Sequence, residues 1–334
     1  MNNEKYSYIS FLQIVGPIFV ILGHSINGLK INGWWYVFSK EWIYIFHMPL
    51  FFLISGYLFS FRGFLKGQSY SCFIANKFKR LLIPYLFWNL LFAVPKCFLQ
   101  AYIVDDTPVN VLDLLRAFLY PRQNIWGHTW FLFGLFIVYS LSPVIEKILK
   151  RKNLILNFIL LLVCIILYLL PIRTEFIALS DIHKDLLFFI LGCLLGQMKK
   201  ETFLSVMNKY RYFLIFGAIV TSVVFVAFYR NVIPFLFIPC TFILLALLSI
   251  GTTVTELPKP LERIANDSFA IYILHWPVMI SVRIVMYQIL GSNQWLTMAA
   301  MCIMGWIIPV TVVVLLRKIP SPKIKKPLKY VLGV

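Results

Sequence analysis

The sequence is poor in charged residues, and this scarcity excludes an ordinary soluble enzyme. Of its 334 residues, 13% are charged and 60% are hydrophobic, whereas about 25% of the residues of a soluble domain are charged. Acidic residues are rarer than basic residues, with 13 Asp and Glu against 31 Lys and Arg. The basic residues lie between apolar runs and not along one face, which favours loops of a membrane protein over nucleic-acid binding.

Several motifs of soluble chemistry are also missing. The sequence contains no CxxC pair, and most of its six cysteines lie inside apolar runs, which predicts packing roles. It contains no GxSxG elbow, HExxH helix or P-loop. No acidic or cysteine cluster accompanies the histidines, so no metal site is predicted. No cleavage pattern follows the first apolar run, which is expected to remain as the first helix.

Long apolar runs dominate what is present. A spanning helix needs about 20 mostly apolar residues, and the sequence holds about ten such runs. The predicted fold class is therefore all-α: a polytopic integral membrane protein with about ten transmembrane helices. Most Lys and Arg residues fall in alternate connections, which predicts that both termini are cytoplasmic. The runs are 7–27, 43–61, 81–104, 128–146, 154–172, 184–198, 212–229, 232–252, 268–290 and 295–316.

Prolines occur within many of these runs. Each removes a backbone donor and tends to kink its helix, so the bundle is expected to surround a cavity. The longest outer connection, 105–127, could cover the mouth of that cavity. It carries Asp105, Asp106, Asp113 and Arg122.

The first helix carries a polar seam. Gln13 and His24 are eleven residues apart, almost three turns and about 16 Å along one face, and Asn27 falls near the same stripe. An ionisable residue inside a span is costly and therefore indicates function, and imidazole is a natural general base near neutral pH. The alternative is that His24 only hydrogen-bonds to a neighbouring helix.

Further polar and aromatic side chains are predicted to support the site or line the cavity. His47, at the outer edge of the second run, could equally be solvated at the interface. Trp130 and its neighbours are typical of an aromatic belt, and Arg283 could extend outward to the interface. The supporting set is Gln13, Asn27, His47, His128, Trp130, Tyr272, His275 and Arg283.

A basic cluster precedes the third run. Lys77 and Arg80 are three residues apart and would share a helix face, with Lys79 between them. The cluster is typical of a cytoplasmic anchor. Arg and Lys clusters also suit phosphate groups, so a cytosolic phosphate site is the functional alternative.

Five segments together resemble the membrane acyltransferase-3 family, bacterial enzymes that acylate sugars, polysaccharides and peptidoglycan. No segment is specific alone, but their order and spacing along nearly the whole chain are. The segments are VILGHS at 20–25, FHMPLFFLISGYLF at 46–59, KFKRLLIPYLFW at 77–88, TWFLFGLF at 129–136 and YILHWPV at 272–278.

The resemblance assigns roles to particular positions. In that family a histidine of the first helix, preceded eleven positions earlier by a basic residue, is central to activity, and His24 matches it. An RxxR-like motif precedes the third span, and Lys77 and Arg80 match it with Lys in place of the leading Arg. Gln13 occupies the upstream basic position and departs from the pattern, because an amide can donate a hydrogen bond but supplies no positive charge.

The resemblance also implies a function. It implies a single transmembrane acyltransferase domain over 1–334, with a basic cytoplasmic tail at 317–334, in the bacterial cytoplasmic membrane. An acyl group, most simply acetyl, would pass from cytosolic acyl-CoA to a hydroxyl of a cell-surface or lipid-linked glycan, and no tightly bound cofactor is expected. Lys77, Lys79 and Arg80 would hold the phosphates of the donor acetyl-CoA. His24 would deprotonate the hydroxyl or carry the acyl group.

Two other classes remain open at the level of the sequence. A polysaccharide or small-molecule transporter would also have kinked helices around a polar cavity, although no internal repeat is present. A membrane sensor or binding module is the third alternative. Within the enzyme class, the acceptor and the choice between acetyl and succinyl are left open.

Overall fold

The structure is a computed structural model that describes residues 6–27, 33–98, 116, 119–123, 127–228 and 233–333. Within these residues every regular element is helical. The α-helices are α1 (Ser7–Asn27), α2 (Trp34–Phe61), α3 (Tyr70–Lys77), α4 (Ile83–Phe98), α5 (Trp130–Ser140), α6 (Ser142–Leu149), α7 (Leu154–Leu169), α8 (Leu179–Gly196), α9 (Lys200–Phe228), α10 (Phe237–Gly251), α11 (Lys259–Asn266), α12 (Ser268–Arg283), α13 (Gln294–Arg317) and α14 (Pro322–Leu332).

The helices confirm an all-α, polytopic membrane protein. Five of them are long and apolar enough to cross a membrane, namely α1, α2, α9, α12 with the turn that follows it, and α13. A sixth candidate is the segment Gly127–Leu149, which bends by 53° between α5 and α6. Each of the ten apolar runs coincides with a helix, but α7 and α10 are shorter apolar helices. The number of about ten spans and the cytoplasmic termini therefore stay predictions.

Two π-helical turns interrupt the helical pattern. Phe78–Leu82 links α3 to α4, and Ile284–Ile289 continues α12 beyond Arg283. A π turn places one additional residue in a helical turn, and such turns are frequent at functional sites. The first of them carries Lys79 and Arg80.

The chain divides into two compact units. The first consists of Met1–Phe61 and Phe188–Val313. Within it, α1 packs against α2, α10, α11 and α12. Because α1 is surrounded by these helices, its polar seam faces protein over much of its length.

The backbones of α2 and α8 approach each other at two glycines of the first unit. A Cβ atom added to Gly56 would overlap the carbonyl oxygen of Phe189, and one added to Gly192 would overlap the carbonyl oxygen of Leu53. Small residues permit such close approach of membrane helices. The two glycines therefore fix α2, which carries His47, against α8.

The second unit consists of Arg62–Leu187 and Val314–Val334. It contains α3, α4 and α5, and α14 packs against α4 and the first π turn. Asn153 caps α7 by accepting a hydrogen bond from the backbone N–H of Leu156 at 3.1 Å. Of the outer connection 105–127, the carboxylates Asp105, Asp106 and Asp113 lie outside the described residues.

Candidate active site: a cluster of three histidines

Three of the five histidines meet in the first unit. His24 lies in the last turn of α1, His47 in the middle of α2 and His275 in α12. The imidazole centroid of His24 is 5.4 Å from that of His275, in a stacked arrangement, and 6.5 Å from that of His47. The helix packing around α1 therefore gathers three imidazoles from distant parts of the sequence.

Hydrogen bonds to the backbone orient two of these rings. His47 Nδ1 donates to the carbonyl oxygen of Ile43 at 2.9 Å, and His275 Nδ1 donates to the carbonyl oxygen of Tyr272. A carbonyl can only accept, so Nδ1 carries the proton in both rings. In a neutral imidazole the lone pair then lies on Nε2, which becomes the basic atom of His47 and of His275.

His24 is the accessible member of the cluster. His47 and His275 expose only 6% and 0% of their surface, whereas His24 is partly exposed. Tyr44, whose ring centroid lies 6.4 Å from that of His24, is exposed as well. His24 is therefore the least buried of the three histidines, although its Nδ1 atom is buried.

Aromatic rings surround the imidazoles. The ring centroid of Trp276 is 4.6 Å from that of His24, and the ring centroid of Tyr44 is 4.8 Å from that of His47. Tyr272, buried against Phe51, lies 5.6 Å from His275. The cluster thus has aromatic neighbours on α2 and α12, of which Tyr272 is buried and Tyr44 is exposed.

Sequence reasoning missed two of these aromatic neighbours. Trp276 directly follows His275, and Tyr44 precedes His47 by three residues. The spacing of three between Tyr44 and His47 is a helical contact distance and could have identified Tyr44. The contact of Trp276 with His24 joins residues far apart in the sequence and has no local signal.

The other predicted residues of α1 and α12 have distinct environments. The Oε1 atom of Gln13 is buried and has no hydrogen-bond partner within the described part of the chain. The side chain of Asn27 lies outside the described residues. Arg283 ends α12, and its Nε is buried without a hydrogen-bond acceptor among the described residues.

The three-histidine cluster is not arranged as a metal centre. Among the described residues, no group of three or more His, Cys, Asp and Glu side chains could hold a metal ion. The cluster is suited to proton transfer or to nucleophilic chemistry on one imidazole.

His128 and Trp130 belong to the second unit. His128 lies in the short 3-10 turn Gly127–Thr129, and both of its ring nitrogens are buried. The guanidinium of Arg122 lies 4.2 Å above the Trp130 ring and donates to Asp181 at 2.5 and 2.8 Å. This cation–π contact and bidentate ion pair join the end of the outer connection to α8.

The basic cluster also lies in the second unit, and its three cations differ in environment. Lys77 Nζ lies 3.6 Å from the centroid of Tyr139 and 5.1 Å from that of Phe73. Although the side chain keeps some accessible surface, its crowded ammonium is desolvated. This desolvation, aided by the charges of Arg80 and Arg62, lowers the pKa of Lys77 well below its usual value.

Arg80 and Lys79 are arranged differently from Lys77. Arg80 Nε donates to the backbone carbonyl of Gly333 at 3.1 Å. Lys79 is exposed. The positive charge of Arg80 thus acts on Lys77 and disfavours its protonated form.

The helices define a multi-pass membrane protein, and three histidines from α1, α2 and α12 meet in its first unit. The family model for the acyltransferase domain, acyltransferase 3, matches residues 6–316. The chain therefore belongs to the acyltransferase-3 family, and the resemblance carried by the five segments is confirmed.

Curated relatives are distant and longer. The nodulation protein NolL of Sinorhizobium fredii (strain NBRC 101917 / NGR234) is 30% identical over 204 residues, 60% of this chain and 51% of that protein. Glucans biosynthesis protein C of Salmonella paratyphi B (strain ATCC BAA-1250 / SPB7) is 24% identical over 58% of this chain and 48% of its own length. The chain thus spans about half the length of the curated relatives it matches. No solved structure matches it.

Proposed function

We propose that this protein is a membrane-bound O-acyltransferase that moves an acetyl group from cytosolic acetyl-CoA to a hydroxyl of a cell-surface or lipid-linked glycan. Membership of the acyltransferase-3 family supports the reaction class. The observation that carries the proposal is the cluster of His24, His47 and His275, with His24 as its accessible member. A neutral imidazole in a water-poor bundle is suited to acyl transfer.

His24 is the catalytic residue in this proposal. In one scheme its imidazole removes the proton of the acceptor hydroxyl while the oxygen attacks the thioester carbonyl. The C–S bond then breaks, and the departing CoA thiolate recovers the proton from the imidazolium. In the other scheme the imidazole nitrogen attacks first and carries the acetyl group until the hydroxyl displaces it. Both schemes give an ester and CoA thiol.

His47 and His275 support His24 in both schemes. Their Nδ1 atoms donate to the carbonyls of Ile43 and Tyr272, so the lone pair of each neutral ring lies on Nε2. Such groups can stabilise the imidazolium that forms on His24. Gln13 lies on α1 with His24, and its buried amide oxygen can accept a hydrogen bond from an amide N–H group of the pantetheine arm.

Charge and the proposed topology support a cytosolic donor site. The proposal takes about ten spans in the bacterial cytoplasmic membrane with both termini cytoplasmic, which puts the start of α4 on the cytosolic side. Lys77, Lys79 and Arg80 would then hold the phosphates of CoA, because guanidinium and ammonium groups pair with phosphate oxygens. Repulsion between Lys77 and Arg80 in the free protein would be relieved by that binding.

The acceptor class is supported by a relative whose name refers to glucans, which are polysaccharides. In this proposal the acceptor hydroxyl approaches the partly exposed ring of His24.

Replacement of His24 by alanine tests the proposal. Membranes would receive radiolabelled acetyl-CoA, and label in surface glycan would be measured at matched protein level. Loss of a general base or nucleophile is expected to reduce transfer by about 10²–10⁴-fold. His183→Ala is the matched control, since His183 is a buried helical histidine of the second unit.

Retention of transfer in the His24→Ala protein at normal level would remove His24 from the mechanism. Movement of a glycan or sugar across the membrane without consumption of acetyl-CoA would instead identify a transporter. Label in glycan that is lost in both the His24 and the His183 variants would point to a general folding defect. An intact His183→Ala protein beside an inactive His24→Ala protein supports the assignment.

A further inference from the structure

The last helix, α14, docks on the basic cluster of the second unit. Trp88 Nε1 in α4 donates to the carbonyl of Val331 at 3.0 Å, and Arg80 Nε donates to the carbonyl of Gly333 at 3.1 Å. Leu332, between these two carbonyls, is 5% exposed. Each bond joins residues more than 240 positions apart in the sequence, so the docking is a tertiary contact.

The carbonyls of Val331 and Gly333 are available to donors because they lie at the C-terminal end of a helix. The last carbonyls of an α-helix lack partners within the helix and carry partial negative charge. Gly333 adopts a left-handed backbone conformation, with φ of 67°, which glycine accepts without strain. Arg80 and Trp88 supply a cation and an indole N–H to this negative end. The C-terminal end of α14 and the basic cluster are therefore electrostatically complementary.

Docking also restrains Arg80. An arginine side chain is long and flexible, and its planar guanidinium must be oriented before it can bind phosphate in a bidentate manner. A backbone carbonyl on Nε fixes one edge of that plane. Such support from a neighbouring backbone group is what a positioned anion site requires.

The exposed side of α14 adds charge next to Arg80. Lys323, Lys326 and Lys329 are exposed, whereas Lys325 is turned toward the protein and donates to the carbonyl of Arg317 at 3.1 Å. Lys326 and Lys329 are three residues apart and share a helix face. Lys329 precedes Gly333 by four residues, so it lies about one helical turn from the carbonyl that Arg80 contacts.

We infer that α14 is part of the acyl-donor site: it positions Arg80 and adds Lys326 and Lys329 to the surface that binds the phosphates of the acyl-CoA. The inference rests on the proposed function, which places the donor phosphates at Lys77, Lys79 and Arg80. The family match ends at residue 316, so α14 lies beyond the part of the chain that the family model covers. Donor affinity then depends on a helix outside the segment that the family model matches.

Kinetics of three variants test the inference. Trp88→Phe removes the indole N–H that holds Val331, Lys326→Gln with Lys329→Gln removes two charges, and truncation after Ile319 removes α14. Each should raise the KM for acetyl-CoA, by about threefold for Trp88→Phe, about three- to tenfold for the lysine pair and more than about tenfold for the truncation. The kcat should stay within about twofold.

A donor that lacks one phosphate distinguishes loss of phosphate binding from a general structural defect. The unmodified protein should have a higher KM for acetyl-dephospho-CoA than for acetyl-CoA, and the lysine-pair variant should lose most of that difference. A merely structural role for α14 would change both KM values equally. Arg151→Gln with Lys152→Gln is the matched control, since it removes two exposed charges elsewhere in the second unit.

The outcomes distinguish this inference from the proposed function. If Arg80→Ala leaves the acetyl-CoA KM unchanged, the donor site itself is misplaced. If Arg80→Ala raises it but the α14 variants do not, α14 has no part in the donor site. A lower KM after truncation would identify a lid that competes with the donor and would overturn the inference. If the truncated protein fails to accumulate, the acetyl-CoA KM values of Trp88→Phe and of the lysine-pair variant still test the role of α14.

Discussion

Addition of one methyl group at Gly192 should separate two helices of the first unit. In Gly192→Ala, the new Cβ would overlap the carbonyl oxygen of Leu53 and lie 2.9 Å from the backbone N of Tyr57. Backbone atoms cannot rotate away as a side chain can, so the cost should reach the upper end of overpacking, about 3 kcal/mol. Alanine recovers about 1 kcal/mol of helix propensity. The expected net loss is about 2 kcal/mol of unfolding free energy.

Gly134→Ala provides the matched control. Its Cβ would meet Ile182 at 3.4 Å and Trp130 at 3.7 Å, which are ordinary contacts. Only the propensity gain of about 1 kcal/mol should remain, so the two variants should differ by about 3 kcal/mol. Unfolding in mixed micelles, followed by tryptophan fluorescence, measures the difference. Equal stability of the two variants would refute the claim that α2 and α8 are in direct backbone contact.

Gly192→Ala should also impair acyl transfer in the protein that remains folded. Leu53 and His47 lie on one helix, so separation of α2 from α8 displaces His47 relative to His24. A displacement of about 1 Å can cost about 100-fold in rate. Transfer by the folded fraction of Gly192→Ala should therefore fall well below that of Gly134→Ala.

Two further predictions concern single side chains. Asparagine places its amide near the Nδ1 position of a histidine, and glutamine places its amide near Nε2. Because Nδ1 of His47 already donates to the Ile43 carbonyl, we expect Nε2 to act in catalysis and His47→Gln to retain more acyl transfer than His47→Asn. More transfer by His47→Asn than by His47→Gln would contradict a role for Nε2. The lowered pKa of Lys77 means that it loses its charge at a lower pH than an ordinary lysine, so the acetyl-CoA KM should rise as pH increases through that range. Lys77→Arg should flatten the profile, and an unchanged profile would remove Lys77 from donor binding.

Much of the fold could be predicted because the bilayer leaves few choices. An apolar run of spanning length must satisfy its backbone internally, so helices at all ten runs follow from hydropathy. The bend between α5 and α6 and the short α7 are less predictable, because packing and not composition decides them. Hydropathy alone also gives no measure of how close α2 and α8 approach, although Gly56 and Gly192 permit it.

The three histidines of the candidate site could be predicted from the sequence, but their assembly and the Trp276 contact could not. The polar seam of α1 and the cost of a histidine in a span identify His24 from local sequence alone. Its stacking on His275 joins residues 251 positions apart and follows only from the packing of α1 against α12. Likewise, the basic residues at 77–80 are evident in the sequence, but the docking of Gly333 on Arg80 is not.

The π turn at Phe78–Leu82 sets the rotation of α3 relative to α4. A π turn holds one residue more than a regular helical turn, and removal of that residue would restore the regular helix. One residue of an α-helix corresponds to a rotation of about 100°, so deletion of Leu82 would rotate α3, with Lys77, around the helix axis relative to α4. The direction in which this chain presents its cations can therefore be reset in evolution by a single codon, without any change in the cations themselves.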